Sequence, residues 1–247
     1  MSGAPKLAWR GIRKAFGPKQ VLDGFDLDVA EGRSLVLLGG SGSGKSVAIK
    51  VAQGLIRPDA GAVLLDGVDV TARPAAERAR RYGALFQSGA LFDSLTVWEN
   101  VAFRLVHADG VDRREARRRA AETLARVNLP KSALELRPGA LSGGMQKRVA
   151  LARAVVADPE ILFFDEPTAG LDPINAGVIN RLILEQVRRL GATAVTITHD
   201  LASARTVGDE IALLHEGAIA WRGPAADLDR SGHPLVHHFV HGDAEPA

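Results

Sequence analysis

Hydrophobic and polar positions follow two different patterns along the chain. Up to about residue 92, short apolar runs alternate with turns, and Ser34–Leu38 is continuously apolar and ends in glycines, as in a buried parallel strand. From 93 to 158, Ala and Arg dominate, Ile is absent, and the period becomes helical. Strand–helix alternation returns after Pro159. The pattern predicts an α/β core interrupted by a helical insertion.

The individual runs predict the main elements. Strands are predicted at 6–13, 21–29, 34–38, 161–164 and 194–198, with hairpins turning at Asp66-Gly67 and Glu216-Gly217. Helices are predicted at 46–55, 111–127 (with Asp112 as N-cap), 147–156 and 174–190. The segment after Gly223 is weakly patterned.

Composition narrows the class of protein. The 247 residues are 46% hydrophobic and 24% charged, with a net charge of +2. Disorder over most of the chain is excluded, and a nucleic-acid binder that depends on bulk charge is disfavoured. The chain has no cysteine, which excludes disulfides, Cys-ligated zinc and a Cys nucleophile.

Uncharged runs are too short to span a membrane. The runs 34–44 and 82–92 have 11 residues each, and 231–242 has 12 when His is counted as neutral, whereas a spanning helix needs about 20. Lys6, Arg10 and the Arg13-Lys14 pair interrupt the region where the apolar core of a secretory signal would lie. We expect a cytosolic protein whose membrane role, if any, comes through a partner.

A glycine-rich loop follows the strand at 34–38. It fits the pattern G-x-x-x-x-G-K-[ST] between a strand and a helix, with the residues Gly39, Gly40, Ser41, Gly42, Ser43, Gly44, Lys45 and Ser46. Glycines let successive backbone amides converge on phosphate oxygens, and the helix N-terminus adds positive potential. Lys45 is expected to reach the β- and γ-phosphates, and the Ser46 hydroxyl to ligate Mg²⁺.

Two further segments carry chemistry. The apolar run 161–164 ends in Asp165 and Glu166, which are expected to hold Mg²⁺ and to polarise the attacking water, respectively. Ser142, followed by two glycines at a predicted helix start, lies 23 residues before Asp165. It predicts a second anion-binding helix N-terminus.

These motifs together resemble the nucleotide-binding subunit of ABC transporters over nearly the whole chain. Besides the phosphate loop, the matching motifs are the Q-loop at Gln87, the signature at 141–146, Walker B at 165–167, the D-loop at 169–172 and the H-loop at 198–200. They occur in the family's order. Two positions depart from the common pattern, because Met145 replaces the usual Gln and Phe16 replaces the usual Tyr.

The resemblance implies an α/β fold of the P-loop NTPase class, with a RecA-like core, a small antiparallel β subdomain and an inserted helical subdomain. The ATPase domain would span 1–223, with the core and β subdomain at about 1–87 and 159–223 and the helical subdomain at about 88–158. The tail 224–247 is expected to contact a partner.

The resemblance also implies an ATPase that works as a head-to-tail homodimer with two ATP molecules trapped between the chains. Each ATP would meet one chain's phosphate loop, with Val47 after it, and the other chain's signature residues Ser142, Gly143 and Gly144. Mg²⁺ would be held by Ser46, Gln87 and Asp165.

The remaining site residues also take their roles from the resemblance. His199 would orient the water with Glu166, and Asp172 would cross the dimer interface. Phe16 would stack on adenine, although an aromatic at this position could instead belong to the core.

Residues 86–101 resemble one branch of the family, the ATPases of Mla-type, MCE-linked lipid transporters. That branch implies phospholipids or other hydrophobic molecules as cargo, an integral permease, an MCE lipid-binding protein, and in some cases a STAS-domain regulator. The chain would then lie at the cytoplasmic face of the inner membrane, peripheral through the permease. Leu91, Phe92, Leu95 and Trp98 are candidates for an apolar pocket that receives a permease helix, or for subdomain core.

Other functions remain open at this point. The core motifs fit a polar-solute importer equally well. A soluble ABC ATPase without a membrane partner is disfavoured, because only 55 positions separate Gln87 from Ser142 and a coiled coil does not fit there. A module that has lost hydrolysis is disfavoured by the presence of four residues expected to act in hydrolysis: Lys45, Asp165, Glu166 and His199.

Two clusters have simpler explanations. The arginines of 113–119 are expected to form a solvated helix face paired with Glu115 and Glu122, rather than a partner surface. His237 and His241 have the spacing of helical metal ligands, but no carboxylate completes a site, so metal binding is disfavoured.

Overall fold

A computed structural model of the chain describes residues 4–241. It contains two compact units, which are described separately. The first comprises the described parts of Met1–Arg81 and Ala192–Ala247, and the second is Tyr82–Gly191. The predicted helical subdomain, 88–158, lies wholly within the second unit.

The elements are numbered in chain order. The strands of the described residues are β1 Leu7–Phe16, β2 Lys19–Val29, β3 Ser34–Leu38, β4 Ala60–Leu65, β5 Val68–Asp69, β6 Tyr82–Leu85, β7 Ile161–Asp165, β8 Thr193–Ile197, β9 Glu210–His215 and β10 Ala218–Pro224. The helices are α1 Lys45–Gln53, α2 Ala75–Arg78, α3 Val97–His107, α4 Arg113–Arg126, α5 Gly143–Val155, α6 Pro173–Leu190, α7 Leu201–Val207 and α8 Pro234–His241. Short 3-10 helices lie at Lys131–Ala133, Pro138–Ala140 and Ala225–Arg230.

The first unit contains an antiparallel sheet in the order β2-β1-β4-β5. Its core is built around Trp9 and Phe25, whose rings meet edge to face with centroids 5.8 Å apart. The Trp9 indole donates to the backbone carbonyl of Ala48 at 2.9 Å, because a buried N–H must find an acceptor. This bond joins the sheet to α1.

A second sheet of the same unit has the order β10-β9-β3-β8. The central strand β3 runs parallel to β8, where Val36 pairs with Thr196, and parallel to β9, where Val36 pairs with Ile211. All five residues of β3 are buried, as the continuous apolar run predicts. The α/β fold class is confirmed, and the glycine-rich loop leaves the carboxyl end of β3.

The second unit pairs β6 and β7 in parallel, with Tyr82 opposite Ile161 and Leu85 opposite Phe164. Helices α3, α4 and α5 pack together beside these strands, and α6 packs on α5. The predicted helix at 147–156 begins earlier, because Ser142 acts as N-cap of α5. Asp112 caps α4 as predicted, through its bonds to the amides of Arg114 and Glu115.

Several elements escaped the sequence patterns. Strand β6 has only four residues, one of them glycine, so its sequence forms no apolar run. Three of the four are half-buried in the structure. Helix α7 has seven residues, and α8 lies in the weakly patterned tail. Among the described residues, no helix has the length and apolar character that crossing a membrane requires.

Gly83 in β6 permits a close approach between strand and helix. A Cβ built on Gly83 would lie 1.8 Å from the backbone carbonyl oxygen of Ala154 in α5. We expect Gly83→Ala to lower the free energy of unfolding by about 3 kcal/mol, because neither backbone can yield. Chemical denaturation measures this loss. Gly139→Ala is the control, since a Cβ there meets nothing within 4 Å, and an equal effect of both substitutions would contradict the packing argument.

Candidate functional site

The loop after β3 needs glycine at both ends. Gly39 has φ +155° and Gly44 has φ +109°, in the region that L side chains rarely adopt. A Cβ on Gly39 would lie 2.5 Å from the carbonyl oxygen of Leu214, and one on Gly44 would lie 2.7 Å from that of Val21. The loop is therefore pressed against β9 and β2, and its shape depends on these two residues.

Lys45 is folded back over this loop. The buried ammonium donates to the carbonyl oxygens of Gly39 and Gly40, both at 2.8 Å. The Ser43 hydroxyl oxygen is buried without a hydrogen-bond partner. A cavity of about 150 Å³ opens beside the loop, lined by Val21, Gly42, Gly44, Lys45, Ser46 and Val47. An orphaned hydroxyl and a buried cation beside a cavity fit a phosphate group.

Phe16 lies at the end of β1 in the same unit as the loop. It is 48% exposed, and the Lys14 ammonium lies 5.4 Å from the centre of its ring. The alternative that Phe16 belongs to the core is therefore wrong. An exposed aromatic ring presents a face on which a planar base can stack.

His199 follows β8 on the chain and is exposed, and the residues on either side of it are held by hydrogen bonds. Thr198 is buried, and its hydroxyl accepts from the amide of Asp200 at 3.0 Å. Asp200 caps α7 through the amides of Ala202 and Ser203. Burial disfavours the Asp200 carboxylate, but hydrogen bonds from the Ser203 hydroxyl and both amides outweigh it and hold the pKa of Asp200 below its usual value.

This cap gives a pH-dependent prediction. We expect Asp200→Ala to lower stability by about 1 kcal/mol at neutral pH. Because the folded-state pKa of Asp200 is depressed, its contribution is present above the unfolded pKa of about 4 and is lost as the pH falls through the lower folded value. Denaturation from pH 7 to pH 2 should show the two curves converging. A stability difference that does not depend on pH would contradict the assignment.

Asp165 ends β7 in the second unit, and Glu166 follows it. Both carboxylates are half-buried. Glu166 has φ +47°, which is uncommon outside glycine and occurs often at functional sites. The ammonium of Lys147 in α5 interacts electrostatically with both carboxylates. Burial lowers the pKa of Lys147, and Glu166 and Asp165 oppose that shift.

Gln87 follows β6 by two residues and has an exposed side chain. Its backbone carbonyl accepts from the Lys147 ammonium at 2.5 Å. The backbone of Gln87 is thus fixed to α5, while its amide group remains open to solvent.

The signature segment begins α5. The Ser142 hydroxyl caps the helix by accepting from the Met145 amide at 3.3 Å. A Cβ on Gly143 would meet nothing within 4 Å, and one on Gly144 would meet only the Asn175 side chain, at 3.5 Å. Packing within the second unit therefore does not require these glycines. An exposed helix N-terminus without side chains leaves room for an anion.

Asp172 is exposed and caps α6. It accepts from the amides of Ile174 and Asn175 at 3.0 Å and from the Asn175 side chain at 2.6 Å. The bonds from Asn175 hold the pKa of Asp172 below its usual value, so it stays ionised. The neighbouring Ile174 is 81% exposed, which leaves an apolar side chain beside this carboxylate.

Hydrogen bonds within the segment 86–101 explain several of its residues. Thr96 and Glu99 form a capping box at the start of α3. The buried Asn100 bonds the backbone of Phe92 through both its oxygen, at 2.7 Å, and its nitrogen, at 3.0 Å. Sequence reasoning gave Asn100 no role of its own, although an Asn inside an apolar helical run signals such a contact.

The predicted apolar pocket of this segment needs correction. Trp98 is only 7% exposed, with the Arg113 guanidinium over its ring at 5.1 Å, so it belongs to the core. Leu91 and Leu95 are half-buried. Phe92 is 44% exposed and packs on Phe103 with ring centroids 4.7 Å apart, so it is the large apolar side chain that this segment leaves exposed.

The charged clusters are largely solvated. Arg118 pairs with Glu115 and Glu122, as predicted. A groove of about 410 Å³ beside α4 is lined mainly by charged side chains of this helix. The rings of His237 and His241 lie 4.3 Å apart on α8. Within residues 4–241, no three His, Asp or Glu side chains are placed to hold a metal ion.

The predicted site residues are thus distributed over both units. The first unit carries Phe16, the glycine-rich loop with Lys45 and Ser46, and His199, and the second carries Gln87, Ser142, Asp165, Glu166 and Asp172. Lys147 was missed. Its spacing to the buried residues Ala150, Leu151 and Ala154 places a cation on the apolar face of α5, which is the signal that could have found it.

Comparisons with known proteins identify the family of these motifs. The profile of the family described as "ABC transporter" matches residues 22–169. The "Probable ribonucleotide transport ATP-binding protein mkl" of Mycobacterium leprae is 39% identical over 94% of this chain and 68% of its own length. The Arabidopsis thaliana protein "TRIGALACTOSYLDIACYLGLYCEROL 3, chloroplastic" is 37% identical over 96% of this chain and 73% of its own. "Fe(3+) ions import ATP-binding protein FbpC 1" of Rhizobium meliloti is 41% identical, over 90% and 62%. The chain therefore spans about two thirds of the length of these relatives.

Solved structures agree in fold. The dimeric post-hydrolysis state of the ATP-binding cassette MJ0796 with ADP and Pi has a TM-score of 0.80 at 30% identity, covering 89% of this chain and 98% of that one. The cbiO1 protein from Clostridium perfringens, part of the ABC transporter complex cbiONQ, has a TM-score of 0.83 at 26% identity, covering 96% and 95%.

Proposed function

Because the chain belongs to the ABC transporter family as an ATP-binding subunit, we propose that it hydrolyses ATP in a head-to-tail homodimer to drive transport of phospholipids or other hydrophobic molecules. The observation that carries the ATP site is the loop after β3. Its terminal glycines cannot be replaced without backbone collision, and the Lys45 ammonium lies buried within it. This arrangement supports binding of the β- and γ-phosphates, with Phe16 stacked on adenine.

Hydrolysis is assigned to Glu166, which follows β7, together with His199. Glu166 would polarise the attacking water, and His199 would orient that water by a hydrogen bond to the γ-phosphate. Mg²⁺, when bound by Ser46, Asp165 and Gln87, would neutralise charge on the phosphates. This donor set suits Mg²⁺, which proteins hold through one or two carboxylates together with substrate phosphates rather than in a complete protein cage.

The head-to-tail dimer explains the open N-terminus of α5. Packing within the second unit gives Gly143 and Gly144 no reason to be glycine, whereas a partner's ATP that approaches the helix end would need the space. The exposed, ionised Asp172 and the exposed Ile174 are suited to contact the second copy. The solved relative that is dimeric with ADP and Pi supports a dimer.

The cargo is proposed from two sources. Residues 86–101 resemble the lipid-transporting branch of the family, and one relative is named for a galactolipid. Helix capping explains Thr96 and Glu99, and hydrogen bonds to the backbone explain Asn100. The exposed Phe92 has no such local explanation, and this supports a role in docking to the permease. Other relatives are named for ribonucleotide transport and Fe³⁺ import, and a polar-solute importer is therefore the second candidate.

The proposed partners are an integral permease, which Phe92 would contact, an MCE lipid-binding protein and a STAS-domain regulator. The chain would act at the cytoplasmic face of the inner membrane, held there by the permease.

The experiment is a pull-down of tagged Glu166→Gln from native membranes with ATP in mild detergent, followed by mass spectrometry of proteins and lipids. We expect a multi-span permease, a single-span MCE protein and phospholipid. A permease with a solute-binding protein would overturn the lipid cargo, and soluble proteins alone would overturn the transporter role. Phe92→Ala should reduce permease recovery, whereas Leu55→Ala, which also removes an exposed apolar side chain, should not.

A further inference from the structure

Two cations of the signature helix bind the backbone just after β6. The Lys147 ammonium donates to the carbonyl oxygen of Gln87 at 2.5 Å. The Arg153 guanidinium donates to those of Gly89 at 2.7 Å and Ala90 at 2.6 Å. Side chains six residues apart on one helix thus satisfy three carbonyls of the turn 87–90.

Neither cation is placed as an ordinary surface charge. Lys147 is 7% exposed, and Arg153 is half-buried with no carboxylate at ion-pair distance among the described residues. Burial lowers the pKa of the Arg153 guanidinium. A cation removed from water must find acceptors, and these two find them in one short turn.

The backbone conformation of the turn 87–90 requires stabilisation by its surroundings. Gly89 has φ +72° and Ala90 has φ +46°, and the latter is unfavourable for a residue with a side chain. The Gly89 amide donates to the Phe86 carbonyl at 2.8 Å, and Arg153 holds the carbonyls of both left-handed residues. A Cβ on Gly89 would lie 3.7 Å from the Ala150 Cβ, so the turn packs directly on α5.

We propose that Lys147 and Arg153 are positioning residues that fasten the turn 87–90 to the signature helix, so that Gln87 and Ser142 move as one body. The inference rests on the proposed function, in which Gln87 holds Mg²⁺, the neighbouring Phe92 contacts the permease and Ser142 meets the partner's ATP. Displacement of the turn is then carried along α5 to its N-terminus.

The first test measures the fastening alone. Hydrogen–deuterium exchange of the purified full chain should show amides of 86–92 exchanging about tenfold faster in Lys147→Met and Arg153→Met, because each loses charge-assisted bonds. The phosphate loop should not change. Lys131→Met, at an exposed lysine, is the control, and Arg153→Lys should restore part of the protection. Unchanged exchange at 86–92 in both Met variants would overturn the fastening.

The second test measures the coupling in the complex with the permease. Both Met variants should bind a fluorescent ATP analogue within about twofold of wild type, because Lys45 is untouched, but lose about tenfold in kcat. Arg153→Met is the deciding variant for the coupling to Ser142, because Lys147 also interacts electrostatically with Asp165 and Glu166. Faster exchange with unchanged kcat would overturn the coupling. If the wild-type complex does not hydrolyse ATP, the proposed function fails, and the exchange data still decide whether the turn is fastened.

Discussion

Glu166→Gln will lower the ATP hydrolysis rate by about a thousandfold and leave ATP binding intact. A general base contributes roughly two to four orders of magnitude, and an amide cannot accept the proton of the attacking water. Glu166 is held at φ +47° directly after the buried strand β7, so its side chain direction is set by the backbone and Gln should keep it. ATP that is bound but not cleaved should hold two chains together.

Phosphate release measures the rate of Glu166→Gln, and native mass spectrometry with Mg²⁺ and ATP measures its assembly. The expected species is a dimer with two nucleotides. Glu185→Gln, at an exposed carboxylate of α6, is the matched control and should hydrolyse ATP like wild type. Normal hydrolysis by a monomeric Glu166→Gln would show that Glu166 is not the base.

Lys45→Ala will weaken ATP binding by about a hundredfold. The substitution removes a cation from the phosphates, and hydrogen bonds to charged groups contribute about 1.5–3 kcal/mol each. It also removes the donor to the Gly39 and Gly40 carbonyls, so the loop loses two hydrogen bonds that stabilise its conformation. Titration with a fluorescent ATP analogue measures the affinity. Lys50→Ala, at an exposed lysine of α1, should bind as wild type does, and equal affinities of all three proteins would contradict the loop assignment.

Much of the fold could be predicted because its strands are either fully buried or separated by clear turns. The apolar run of β3 and the hairpin at Asp66-Gly67 are examples. Strand β6 could not be predicted, since Gly83 is selected by the close carbonyl of Ala154, a contact between residues far apart in sequence. Such contacts leave no periodicity in a single chain.

The candidate site, like the fold, could be predicted from the sequence only in part. Motif spacing alone indicated Lys45, Ser142 and Glu166, because phosphate chemistry requires these residue types in a set order. By sequence, Trp98 was a candidate either for a partner contact or for the core, and in the structure it belongs to the core. The sequence of an amphipathic helix does not show whether its apolar face is covered by the same chain or by a partner. Lys147 and Arg153 acquire their partners only through packing of α5 on the turn 87–90.

The most direct test of a head-to-tail ATPase is the hydrolysis rate of an equal mixture of Lys45→Ala and Ser142→Arg. Each variant alone should be inactive, because every composite site lacks either the loop lysine or the signature serine. In a mixed dimer, the Ser142→Arg chain supplies an intact loop and the Lys45→Ala chain an intact signature, which restores one site. Random pairing then predicts up to about a quarter of the wild-type rate. A mixture that stays as inactive as its components would contradict the account.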